Sequence, residues 1–177
     1  MNRIILITGE KNSGKTTFLK YFIDHVAIKK ELILGGFIAE GIFRSGRKTG
    51  FDLIGLSHYD KKLLCTNIPR KGWIRMGKFY FDPDGFRFGE NQLANLPDGV
   101  NWMIIDEYGP LELSGKGWRK TVDRLLEKNG LTLIITVRKE ILTEVIENFE
   151  GHELHVYDIK NSSNASITRE LSKLLPS

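Results

Sequence analysis

Gly9, Gly14, Lys15 and Thr16 stand at the spacing G-x-x-x-x-G-K-T, and that set of residue types suits the holding of a nucleotide's phosphates. Glycines let the chain turn so that successive backbone N–H groups, together with those opening the next helix, face one concave anion site. Lys15 would bring its ammonium to the outer phosphates and Thr16 a hydroxyl to Mg2+. Glu10, Lys11, Asn12 and Ser13 lie inside the loop and Thr17 follows it, so residues 9–17 form the candidate nucleotide-binding stretch. A plain glycine turn with a surface lysine is the bland reading. The context speaks against it: the apolar run "RIILIT" precedes the loop, and Phe18, Leu19, Phe22, Ile23 and Val26 recur behind it at helical spacing.

A second constellation is "NWMIIDEYGPLEL", in which the apolar residues 102–105 run into Asp106 and Glu107. A buried parallel strand ending in acids places them at the carboxyl edge of a sheet, where ligands bind in α/β folds. Asp106 would hold magnesium beside Thr16, and Glu107 would orient and polarise a water for attack on the γ-phosphorus. Two acids closing an apolar run are common by chance, and only with the phosphate loop do they gain weight. Glu112 either completes this acidic cluster or caps a helix beginning near Ser114.

Cations for the transition state have two sources. Arg44, Arg47 and Lys48 crowd the tip of a hairpin, and Arg138 follows a central strand; a solvated turn and a helix-start surface residue are the respective bland readings. Trp73, Phe79, Tyr80 and Phe81, interleaved with Arg75 and Lys78, would suit base stacking, although packing of a short strand accounts for them as well. Asn161, Ser163 and Asn164 read as base contacts or as helix caps.

These groups need a scaffold, and the apolar runs supply one. Strands are expected at 32–43, 50–56, 102–106, 131–137 and 154–159, with helical segments near 116–128, 139–149 and 164–175. The runs at 102–106 and 131–137 hardly alternate, as befits strands covered on both faces. The expected fold is therefore α/β, a doubly wound, mostly parallel sheet of the P-loop NTPase type, with a β-hairpin added around "RSGRK" on or beside the main sheet. Residues 60–99 are poorly patterned, with a short strand in "WIRMGKFYFD" and a helix around "ENQLANL". At 177 residues and 41% hydrophobic content the chain suits a single domain, residues 1–177. No run reaches membrane-spanning length and no signal-peptide pattern opens the chain, so a cytoplasmic location is expected. Cys65 is the only cysteine and the four histidines are scattered, which excludes an internal disulfide and a cysteine zinc site. A net charge of +4 is weak support for nucleic acid, and no obligate protein partner is evident.

"GEKNSGKTT", the hairpin "GFIAEGIFRSGRKTGFDLIGL", "MGKFYFD" and "IIDEYGPLEL" follow one another in an order that resembles the cancer-related nucleoside-triphosphatase family, small P-loop NTPases first described from thermophiles. The hairpin followed by D-E-x-G-x-x-E is the specific part. The resemblance implies slow, magnesium-dependent hydrolysis of several nucleoside triphosphates, ATP and GTP included, with Gly14, Lys15, Thr16, Asp106, Glu107 and Glu112 at the family's motif positions. It also leads to an arginine where Lys48 stands and a proline-containing turn where "TVRKE" stands. The catalytic candidates are thus Lys15, Glu107 and Lys48, and the metal candidates Thr16 and Asp106. A nucleoside or nucleotide kinase, which would need an arginine-rich lid not seen here, and a non-enzymatic nucleotide switch are the alternatives.

Overall fold

In the computed structural model, residues 1–175 are described. The first strand, β1 (Arg3–Gly9), is buried from Ile4 to Gly9 and leads through the glycine loop into helix α1 (Lys15–Phe22), which a wider turn extends over Ile23–Ala27. The long hairpin follows as β2 (Leu34–Arg44) and β3 (Arg47–Gly55), then β4 (Lys61–Thr66), β5 (Ile74–Met76), β6 (Phe79–Phe81) and helix α2 (Pro83–Ala94). The acidic strand is β7 (Trp102–Tyr108), with a short helix α3 (Pro110–Leu113) and then α4 (Arg119–Leu126). Strand β8 (Thr132–Arg138), helix α5 (Leu142–Glu147), β9 (Glu153–Asp158) and α6 (Asn164–Lys173) complete the described chain.

All nine strands join one sheet in the order β5-β6-β4-β3-β2-β7-β8-β1-β9. From β2 to β9 neighbouring strands are parallel, and from β2 outward to β5 they are antiparallel. The hairpin is thus not beside the sheet but within it, because β2 pairs with β7 along Leu34–Phe37 and then runs past the parallel edge to pair with β3. Two layers cover the sheet. On one face α1 and α6 bury Phe18, Leu19, Phe22, Ile167 and Leu171 against Ile5, Ile7, Ile104 and Ile134. On the other, Leu93, Val122, Leu125, Val145 and Phe149 pack on Ile4, Leu6, Met103, Ile105 and Leu133. Odd and even residues of one strand serve opposite layers, which is why these runs show so little polar alternation.

The region from 60 to 99 departs from expectation in detail. "KKLLCT" is a strand, and "WIRMGKFYFD" forms two short antiparallel strands rather than one. The helix begins at Pro83 rather than near Glu90, because Asp82 accepts the Asp84 N–H at 3.0 Å and Pro83 occupies the first helical position. Phe79 meets Phe51 edge-on and Phe81 stacks on Phe86, so these two rings pack within the fold. No helix is long and apolar enough to cross a membrane among the described residues.

Candidate active site

The parallel register brings the two sequence motifs to one edge. Gly9, the last residue of β1, lies beside Arg138, the last of β8, and β8 separates β1 from β7. Beyond Gly9 the loop folds tightly: a Cβ there would lie 2.6 Å from Ser13 Oγ and 2.9 Å from Ile159 Cγ1. Gly14 sits at φ 96°, in the left-handed region that glycine tolerates at no steric cost, and from it α1 starts with the Phe18 N–H on the Gly14 carbonyl at 2.8 Å. Lys15 folds its ammonium back onto the loop, donating to the carbonyls of Gly9 at 3.0 Å and Glu10 at 2.8 Å. Burial lowers the pKa of Lys15, while the nearby Glu107 and Asp106 carboxylates hold it up.

Asp106 is where four elements meet. Thr16 of α1 donates to its Oδ2 at 2.7 Å, the Ala39 N–H of β2 donates to the same oxygen at 3.0 Å, and Thr136 of β8 donates to Oδ1 at 2.6 Å. The carboxyl is only 2% exposed. Burial pushes its pKa up, against which these three hydrogen bonds pull down. Thr136 also accepts the Glu107 N–H at 2.6 Å, so one hydroxyl couples both acids. A threonine near the carboxyl end of the run "LTLIITV" was the available signal for it, and the apolar pattern around it drew no attention to that hydroxyl.

Glu107 stands at φ 69°, unusual for a non-glycine residue, where the β7–β8 register slips between Ile105 and Tyr108. This bulge turns consecutive acids to different partners: Asp106 points into the buried cluster, and Glu107, still within β7, turns its side chain to Arg138. There the Arg138 guanidinium grips a single oxygen, Oε1, with Nε at 3.2 Å and Nη2 closer still. Arg138 is therefore no idle helix-start residue. Glu112 does not join this cluster. It is 3% exposed and accepts the Gly109 N–H at 2.8 Å and the Trp118 N–H at 3.2 Å, capping α3 itself; no helix begins at Ser114.

Lys48 reaches back from the hairpin to the phosphate loop, donating to Asn12 Oδ1 at 2.9 Å while lying 4.7 Å from the Phe51 ring centre. Arg44 and Arg47 stay exposed at the tip. Of the last candidates, Ser163 caps α6 by accepting the Ser166 N–H at 3.2 Å. Cys65 is buried, its thiol pushed up to about 12 by desolvation. No cluster of three or more His, Cys, Asp or Glu able to cage a metal occurs among the described residues.

Known proteins share both this chain's pattern and its fold. The nucleoside-triphosphatase THEP1 of Archaeoglobus fulgidus is 29% identical over 97% of this chain and 98% of its own. The solution structure of a human cancer-related nucleoside triphosphatase superposes with a TM-score of 0.75, at 21% identity, over 98% of this chain and 97% of that one. The crystal structure of THEP1 from Aquifex aeolicus does so with a TM-score of 0.68, at 22% identity, over the full length of both. The resemblance drawn from the hairpin and D-E-x-G-x-x-E is borne out: the model of the NTPase family matches residues 4–172, and the chain belongs to that family.

Proposed function

We propose that this chain hydrolyses nucleoside 5'-triphosphates, ATP and GTP among them, to the diphosphate and phosphate, in the cytoplasm and with Mg2+. The observation that carries the reading is the convergence of Thr16, Thr136 and the Ala39 amide on buried Asp106, with Glu107 directly beside it at the edge where the glycine loop begins. Residues 9–17 would cradle the phosphates by their backbone N–H groups, and Lys15 would exchange its carbonyl contacts for β- and γ-oxygens.

The fit to magnesium rests on the donor set. Thr16 and Asp106 offer hard oxygens in contact with one another, and Mg2+ usually takes one or two protein oxygens and completes its shell with phosphate and water. A buried carboxylate whose ionised form is disfavoured by desolvation gains most from an adjacent cation. Bound there, the ion would neutralise charge on the β- and γ-phosphates.

Glu107 takes the proton of the attacking water. Because Arg138 occupies Oε1, Oε2 is the oxygen left for that proton, and Arg138 acts as the positioning residue. Lys48, tied to Asn12 of the loop, is the cation placed to neutralise charge as the γ-phosphoryl group departs. Replacing Glu107 by Gln is expected to leave nucleotide affinity near wild type and to cut steady-state phosphate release by about 100-fold or more, the usual scale for a positioned general base. Measuring release without any acceptor also separates hydrolysis from phosphoryl transfer to a second substrate. Full activity in a folded Glu107→Gln protein would remove Glu107 from the mechanism.

A further inference from the structure

The charge of this chain is divided unevenly. Residues 42–78, the hairpin tip and the strands beyond it, hold nine Lys/Arg against two Asp, a net +7 in a chain of net +4, so everything else together is net −3. Acidic partners are scarcer within this segment, where one of nine Lys/Arg meets a carboxylate against six of 17 outside it. Outside this segment Arg3, Lys20, Arg87, Arg119, Arg138 and Lys139 each meet a carboxylate. Within it, Lys61 alone does so among the described residues, with Asp52 at 3.0 Å and Glu40 at 3.4 Å. Eight cations are left without an acidic partner there.

Several of them gather at one end. The Asn67 N–H bonds to the Thr49 carbonyl at 2.7 Å, which sets the β4–β5 connection against the hairpin. The result is a cleft of about 110 Å³ lined by Arg44, Arg70, Thr66 and Asn67 and by the apolar Ile42, Leu63 and Ile68. Arg47 and Lys71 stand next to them in sequence and are exposed. Exposed apolar groups flank them: Ile68, 46% exposed, lines the cleft, and Phe43, 61% exposed, follows on the other face of β2 at the tip, 5.5 Å from the Lys48 ammonium. Protection of a sheet edge explains Arg75, which lies on the edge strand β5. It does not explain Arg44 or Arg70, which lie off that edge. The same end is tied to the nucleotide site by Lys48 on Asn12.

We propose that this end of the antiparallel wing is a binding surface for single-stranded nucleic acid, whose phosphodiester backbone is taken by Arg44 and Arg70 across the cleft and whose bases lie on Phe43. Cations without acidic partners at the hairpin tip and on the adjoining loop, with an exposed ring next to Arg44 at that tip, match a flexible polyanion that carries flat apolar groups. An amphipathic membrane contact would need a continuous apolar face instead, and here Ile42, Leu63 and Ile68 share the cleft with Arg44, Arg70 and Asn67. The surface is separate from the hydrolytic groups and the proposal does not rest on their assignment.

The probe is a fluorescein-labelled 16-nucleotide oligouridylate, followed by anisotropy between 50 and 200 mM KCl. Wild-type protein binds it, and log K falls linearly with log salt with a slope of about −2 to −4, as expected for roughly three to five phosphates neutralised on a single strand. The double variant Arg44→Glu, Arg70→Glu binds at least about tenfold more weakly while keeping its far-UV spectrum and basal nucleotide turnover. Lys128→Glu, an exposed charge reversal on the opposite half of the chain, keeps affinity within about twofold, which removes net charge as the cause. No binding at 50 mM salt, or a double variant that binds like wild type, overturns the proposal. So does equal affinity for polyglutamate or for phosphatidylserine vesicles, since the surface would then be a general anion attractor.

Discussion

The parallel half of the sheet and its antiparallel wing meet at the phosphate loop and contribute to it in different ways. The parallel half delivers its groups at strand ends fixed by register: Gly9 beside Arg138, Asp106 bonded across to β2, β8 and α1. These groups are buried or paired and have little freedom to move. The wing delivers one long side chain, Lys48, from a half-exposed position on β3 near the hairpin tip. A reaction that develops charge late can use both kinds of group, the strand-end ones to hold reactants and the long, half-exposed one to answer the charge.

The largest loss should come from the parallel half. Lys15→Ala removes the point charge for the β- and γ-oxygens and should both weaken nucleotide affinity and all but abolish turnover, read by a fluorescent nucleotide titration beside phosphate release. If the folded variant turned over normally, the glycine loop would not be the phosphate site, and the comparison would lose its basis.

Next come the two cations that border the loop. A charge-neutralising residue at the transition state is worth about 1,000-fold or more in rate. Lys48→Ala should therefore lower kcat far more than it changes KM, and Lys48→Arg should raise kcat, because a guanidinium can fork two hydrogen bonds where an ammonium cannot. Arg138→Ala should release Glu107 Oε1 and lower kcat by about 10- to 100-fold, with Arg138→Lys restoring part of it. Should Arg138→Ala cost about 1,000-fold while Lys48→Ala is silent, the neutralising cation belongs to the parallel half and the division fails.

How far each region was legible follows from the same contrast. Strands such as "LTLIITV" are buried on both faces, so their apolar continuity survives in the sequence, and the two acids that follow "WMII" mark the carboxyl edge of the sheet. The wing is half-covered and broken by register shifts at Ile42/Phe43 and Phe51/Asp52. Alternation fails at each bulge, and "KKLLCT" opens on two lysines, so β4 left no periodic trace. Within the site, the loop residues and Asp106 were readable because chemistry fixes their types. Glu107 was readable only as a type. Its orientation depends on its own left-handed backbone and on Thr136 and Arg138, neither of them adjacent in sequence. Glu112 belongs to the acidic run in sequence yet faces the interior, because the α3 turn brings the amides of Gly109 and Trp118 to it.

A test of intermediate size addresses Thr136, whose hydroxyl serves both acids. Thr136→Val keeps shape and leaves the Glu107 N–H and one Asp106 lone pair without a partner in a buried setting. A buried group so orphaned costs about 1–3 kcal/mol, measurable as a lower urea midpoint at unchanged m-value. Turnover should fall as well, since the bulge that aims Glu107 loses its anchor. Stability and rate both equal to wild type would mean that the backbone at Glu107 holds its conformation without this bond.

The smallest effect separates the two regions by the sign of a pH dependence. In the parallel half, burial raises the Asp106 carboxyl above its ordinary value, so the folded protein holds this proton more tightly than the unfolded chain does. Stability then falls as pH rises from about 4 through the raised value. Glu40, at the base of the wing's hairpin, behaves in the opposite way. Its hydrogen bond with Lys20 lowers its pKa, so the stability it contributes is present above about pH 4 and is lost as pH falls through the depressed value. Glu40 is about one third exposed, and screening limits its share to a few tenths of a kcal/mol. Urea unfolding of wild type, Asp106→Asn and Glu40→Gln at several pH values from about 3 to 7 reads both. Asp106→Asn should gain on wild type as pH rises, whereas Glu40→Gln should fall behind it over the same interval. Saturating nucleotide with magnesium should narrow the first difference, because a cation beside Asp106 stabilises its ionised form, and should leave the second as it was. If the two differences ran in the same direction, the acids of the edge and of the wing would share one electrostatic environment, and the separation between a buried, rigid half and a solvated wing would not extend to their charges.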